Sequence, residues 1–248
     1  MRGGVMGKNP KDPKTVLPDI TDAYKDLFGR DLVSIILYGS AAGKDYRPGK
    51  SDINLMIILT EDGIEALDRA FQVVRRWRGR GVAVPLFLTE EYVETSLDVF
   101  PIEYLNFKNN YNLVFGKDIL KDLQFNPEFL RLQCEREIKG KLLLLREAFI
   151  ETAGRGRALK AATVQALPSL VAIFGALLYL KGKDVPVERR ETVRAVAELF
   201  DLEVTVFEGI LDIREGRAKS GHRESFDLFK GCLREMRKLS RLINALGG

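Results

Sequence analysis

The sequence is short of several residues that catalytic sites commonly need. One histidine, His222, stands in 248 residues. No Ser-His-Asp or Cys-His relay can be assembled around it. Arg217 and His222 have an Arg-x4-His spacing, but Ser220-Gly221 falls between them and marks a loop. Cysteine is equally scarce: Cys134 and Cys232 lie far apart, form no metal-spaced or redox pair, and read as reduced, buried thiols of a cytoplasmic protein. The first residues, MRGGVMGKNPKDPK, contain no apolar run and are expected to be a loose tail over 1–17 rather than a signal peptide. Two common phosphate-binding loops are also missing. GSAAGKD (39–45) is one residue short of the P-loop spacing and carries Asp45 where a hydroxyl should stand, and no G-x-G-x-x-G follows a strand. No internal repeat or low-complexity segment is present.

The remaining composition is that of a water-soluble globular chain, with 46% hydrophobic and 30% charged residues. A net charge of +4 and a pI near 9.0 suit a phosphate-bearing ligand without requiring one. One run, Ala161–Leu180, is uncharged and long enough to span a bilayer. Thr163, Gln165, Pro168 and Ser169 dilute it, so it is expected to be the central helix of a bundle, with no membrane involved.

Periodicity divides the chain near residue 125. Before it, a short helix at 18–28 leads to a nearly continuous apolar strand over Leu32–Tyr38. A loop containing Pro48-Gly49 returns to a second strand over Asp52–Leu59. A helix capped by Thr60 and carrying Ile64, Leu67, Phe71, Val74 and Trp77 at helical spacing comes next. VAVPLFL (82–88), PIEYLNF (101–107) and YNLVFG (111–116) are three further strand candidates. After residue 125 only helices are expected, over 128–150, 161–180, 187–200, 201–215 and 224–246. The fold class is therefore α+β: a mixed-sheet domain over 18–125, then an all-helical domain over 126–248.

The chemistry concentrates in YGSAAGKDYRPGKSDINLMIIL, 38–59. Gly39 lets the backbone approach a ligand, the amides of the following turn face outward as anion donors, and Ser40 adds a hydroxyl. Ser51-Asp52 brings a carboxylate to the start of the neighbouring strand. Lys44 and Lys50 are candidate contacts for a triphosphate, whereas Asp45, beside Lys44 and Arg47, reads as solvated.

This stretch resembles the signature of the DNA polymerase β-like nucleotidyltransferase superfamily, with Gly39, Ser40, Gly43, Ser51 and Asp52 at the matching positions. The helical second half resembles that of the antibiotic-type and minimal members. The resemblance implies Mg²⁺-dependent transfer of a nucleotidyl group from a nucleoside triphosphate, ATP first among them, to an acceptor hydroxyl. It implies that two acids of the second strand hold metals, with Asp52 as one of them, and that a later strand supplies a third acid.

The match then breaks. The second acid is Asn54, on the same strand face as Asp52, and a carboxamide brings no charge. A unit-charge pair about 4 Å apart contributes roughly 4 kcal/mol at an effective dielectric of 20. Losing it lowers metal affinity by about three powers of ten, which favours a lapsed catalyst that binds a nucleotide or a partner without transfer. VAVPLFL carries no acid, leaving Glu103 as the best candidate for the third. The sequence names no acceptor. Arg75, Arg76, Arg78 and Arg80 crowd a helix end without interleaved aromatics, so nucleic acid is not the expected partner. Helical faces in the second half leave room for a homodimer.

Overall fold

The structure is a computed structural model and describes residues 10–246. It comprises two compact units. The first runs to Leu97 and resumes over Asn106–Gln124; the second comprises Asp98–Leu105 and the chain from Phe125 onward. The division falls inside one helix. Part of the expected N-terminal tail, residues 1–9, lies outside the described residues. Pro13–Val16 forms one 3-10 turn with Pro13 buried and Asp12 capping its start, so this part of the stretch is ordered rather than loose.

The first unit is built on a four-stranded mixed sheet of order β3-β2-β1-β4. Helix α1 (Leu17–Phe28) precedes β1 (Leu32–Tyr38), which pairs antiparallel with β2 (Asn54–Leu59). Strand β1 was legible because Ile35, Ile36 and Leu37 are all fully buried. A strand covered on both faces needs no alternation. On one face Ile35, Leu37, Ile53, Leu55 and Ile57 pack with Tyr24 and Phe28 of α1 and with Trp77. Met56 and Ile58 are buried on the other.

The single helix expected from Thr60 to Trp77 is broken. Thr60 does cap it, but α2 (Glu61–Glu65) ends at Ala66, a 3-10 turn covers Leu67–Ala70, and α3 (Phe71–Arg78) resumes. VAVPLFL forms a strand only over β3 (Leu86–Leu88), parallel to β2, with an isolated bridge from Ile53 to Val82. Pro85 separates the two because it has no amide to give the ladder. Helix α4 (Glu90–Thr95) follows.

PIEYLNF is the clearest correction. It is helix α5 (Pro101–Asn109), not a strand. Proline occupies its first position, where no amide is required. The buried Gln133 accepts from the Ile102 amide at 2.8 Å, closing the helix start. Strand β4 (Tyr111–Gly116) then pairs antiparallel with β1.

The second unit consists mainly of α6 (Pro127–Glu151), α7 (Gly156–Leu180), α8 (Arg189–Leu199), α9 (Val204–Glu215) and α10 (His222–Ala245). Helix α7 is long and apolar enough to cross a membrane, yet half of its most apolar window is buried. Leu170, Phe174 and Leu177 are fully buried, and the Phe174 ring meets Phe207 of α9 edge-on at 5.1 Å. This is the core helix of the bundle. Pro168 inside it cannot donate to the carbonyl four residues earlier, and Arg214 of α9 donates to that carbonyl, Val164, at 3.0 Å instead. Both cysteines are free and buried, and burial pushes each thiol up to about 12.

Candidate functional site

The end of β1 and the start of β2 meet at one end of the sheet, where Tyr38 pairs with Asn54. Gly39 leaves β1 with a φ of 72°, a left-handed conformation that favours glycine, and opens a 3-10 turn over Gly39–Ala42. The amides of Ser40 and Ala41 belong to the opening of this turn, the part a helical turn leaves without internal acceptors. Ser40 is half-buried.

Two asparagines that sequence reasoning passed over hold this turn. The Gly39 amide donates to the Asn110 carbonyl at 3.3 Å, and the Asn110 side-chain amide donates back to the Gly39 carbonyl at 3.1 Å. Asn112 donates to the Ala42 carbonyl at 2.9 Å. A Cβ on Gly43 would come within 3.0 Å of the Asn110 carboxamide, so the second glycine of the motif makes room for this clamp. The one available signal was the asparagine-rich run at 109–112, which leads into the start of β4.

Just ahead of β2, Ile53 is fully buried; Asp52, expected to begin the strand, precedes it outside β2, and Asn54 opens β2 on the face opposite Ile53. Asp52 is exposed and Asn54 half-buried. The Ile53 backbone is pinned on both sides, its amide donating to Gly81 and its carbonyl accepting from Ala83, each at 2.9 Å. The Asn54 carboxamide lies against the turn, its nitrogen 3.5 Å from where a Gly39 Cβ would stand. The loop between is ordered by its own bonds. Ser51 Oγ accepts from the Arg47 amide at 3.1 Å, and the Ser51 amide donates to the Arg47 carbonyl at 2.9 Å. Tyr46 donates to the Pro10 carbonyl. Burial, then the charges of Asp52 and Asp12, raise the Tyr46 phenol above its ordinary value. Lys44 and Lys50 are exposed on this loop, and Asp45 is half-buried.

Glu103 belongs to the other unit. It sits on α5, in the second unit, is exposed, and accepts a 2.7 Å bond from Gln133 Nε2. The expectation that it projects from a sheet strand is therefore corrected.

These donors do not make a two-metal centre. At the sheet end stand one carboxylate, Asp52, and one carboxamide, Asn54. Among the described residues no three His, Cys, Asp or Glu side chains converge as a metal site. Mg²⁺ is held through one or two carboxylates together with substrate phosphates, so the set present, with a single carboxylate, falls short of a centre in which two ions share acids.

No family model matches the sequence. No curated protein matches it either. Solved structures do match in shape. The crystal structure of spectinomycin adenyltransferase AAD(9) from Enterococcus faecialis, with ATP and spectinomycin, superposes with a TM-score of 0.53 at 11% identity, over 90% of this chain and 99% of that one. The chain therefore shares the fold of that adenyltransferase, an N-terminal mixed sheet with helices followed by an all-helical region.

Proposed function

We propose that this protein binds a nucleoside triphosphate through the Gly39–Ser40 turn without assembling a two-metal centre, as a catalytically lapsed member of the nucleotidyltransferase fold. The observation that carries this reading is Asn54. A neutral carboxamide rests against the Gly39–Ser40 turn, at the position where the resemblance expects a second acid. Asparagine there can donate a hydrogen bond to a phosphate oxygen, which an aspartate cannot do. Ser40 and the turn amides would supply further donors, and Lys44 and Lys50 the compensating charge. ATP is the first nucleotide to test, because the structurally similar adenyltransferase holds it. Nucleotide use and two reduced thiols fit a cytoplasmic setting.

A second reading is supported by the length of the fold match, which takes in the helical half as well as the sheet. In it the chain transfers a nucleotidyl group to an acceptor hydroxyl, with Asp52 as metal ligand.

Isothermal titration of ATP separates the two. Binding that is the same with Mg²⁺ and with EDTA, and that becomes Mg²⁺-dependent in Asn54→Asp, supports the first reading. Mg²⁺-dependent binding by the unaltered protein, abolished in Asp52→Ala, supports the second. Absence of ATP binding in both conditions defeats both.

A further inference from the structure

Helix α10 has one face in the core, where Phe229, Met236, Leu239 and Ile243 are fully buried. The residues on the opposite face recur every three or four positions: Arg223, Asp227, Lys230, Arg234, Arg237 and Arg241, all exposed. Five of these six are cations. They span eighteen residues, about 27 Å at a rise of 1.5 Å per residue. The C-terminal four lie roughly 5 Å apart along the axis.

Arg234, Arg237, Lys238 and Arg241 also line a cleft of about 460 Å³, whose one apolar wall is Leu242. Two of these cations are braced. Arg234 pairs with Glu203 and, at 3.0 Å, with the buried carboxylate of Glu235. Lys238 pairs with Asp201 at 2.7 Å. Arg237 and Arg241 make no ion pair among the described residues. The cleft is thus bounded by two fixed cations and two unneutralised arginines.

Helix stabilisation does not account for this stripe. Cations favour the last turn of a helix, but the last turn of α10 holds none of these, and Arg223 sits in the first turn, where a positive charge is unfavourable. The mid-helix cations lie too far from either end to feel the dipole. We propose that this face of α10 docks the phosphodiester backbone of a nucleic-acid strand.

Three features favour a nucleic acid over other polyanions. The cations form a line rather than a knot. A single strand carries one charge per roughly 3.4 Å of axis, so about five phosphates face the segment from Lys230 to Arg241. Four of the five stripe cations are arginines, whose planar forks grip phosphate oxygens in pairs. The helix has no free apolar face to insert into a membrane, because that face is the core. The stripe carries no aromatic residue, so the contact reads backbone and not base sequence.

The test is fluorescence anisotropy of a labelled oligothymidylate long enough to cover the stripe, titrated with the full chain between about 50 and 200 mM salt. With four cations on a single strand, log K should fall against log salt with a slope near −3. Arg237→Gln/Arg241→Gln should reduce that slope by about 1.4 and weaken binding at least tenfold at low salt, with the thermal transition unchanged. Arg237→Lys/Arg241→Lys should keep the slope. Asp227→Asn should strengthen binding, an effect that misfolding cannot imitate. Four results overturn the proposal: no binding at the lowest salt; a slope unaltered in the glutamine pair; loss of binding on Arg75→Gln/Arg78→Gln instead; or stronger binding to polyglutamate or anionic vesicles than to the oligonucleotide.

Discussion

The two units use their polar residues in opposite ways. In the sheet unit, Asn110 and Asn112 hold a loop turn from behind, through bonds to the Gly39 and Ala42 carbonyls. Under the proposed nucleotide-binding role, the amides that open the turn serve the ligand. In the helical unit, the comparable side chains close helix ends. Gln133 satisfies the start of α5, His222 Nδ1 accepts from the Gly156 amide at the start of α7 at 3.0 Å, and Glu235 accepts from the Glu203 amide ahead of α9 at 3.1 Å. The first arrangement leaves donors over for binding. The second consumes them internally, so what this unit offers a partner is surface charge. A nucleotide site belongs to the first pattern and an electrostatic docking face to the second.

Substitutions can break that contrast or sharpen it. The largest loss should come from Phe174→Ala in the bundle, about 4 kcal/mol in urea unfolding, because a fully buried ring leaves a cavity. Close behind is Gly116→Ala on β4, at about 3 kcal/mol. Its φ is 81°, and a Cβ there would lie 1.9 Å from the Val33 carbonyl oxygen. Equal losses at Gly116 and at an exposed strand residue would show that this backbone approach is relaxed.

Asn110→Ala should lower stability by about 1–2 kcal/mol. It should weaken ATP binding by more than that figure predicts, because the turn loses its support; affinity unchanged within a factor of two would remove the clamp from the binding argument. His222→Ala should lower stability by about 1 kcal/mol, in the range of a lost helix cap, and leave ATP affinity alone. A change in both would blur the division between the units.

The smallest effect is a pH dependence. Burial raises the Cys134 and Cys232 thiols from about 9 to about 12. Groups whose folded value is raised contribute stability below their unfolded value and lose it as pH rises toward the folded one. Melting temperature should therefore decline between about pH 9 and pH 12 in part through these thiols, and less so in Cys134→Ala/Cys232→Ala. At pH 8 neither thiol should react with a thiol reagent until the protein unfolds.

Much of this was legible in the sequence where one periodicity ruled. Strand β1 and the core role of α7 follow from unbroken apolar runs, and the turn at Gly39 from its motif. The failures share a cause. In α5 the buried residues are Pro101, Ile102, Tyr104 and Leu105, a run so short that it fits helical spacing at 101, 104 and 105 and strand alternation at 102 and 104. The neighbours that bury them come from elsewhere in the chain. The roles of Asn110 and Asn112 were not legible, because nothing local pairs β4 with β1. Arg214 could not be matched to Val164 without knowing that α9 lies beside α7.

The asparagine clamp bears on the order of assembly. The donors that shape the turn stand 71 and 70 positions downstream of the carbonyls they reach. Closing so long a loop is entropically unfavourable and is repaid only after β4 has docked beside β1. Hairpin pairing of β1 with β2 can precede that step, but the turn at Gly39–Ala42 cannot take its final shape before it. In refolding kinetics, truncating Asn110 should accelerate unfolding and leave the folding rate nearly untouched, the signature of a contact absent from the transition state.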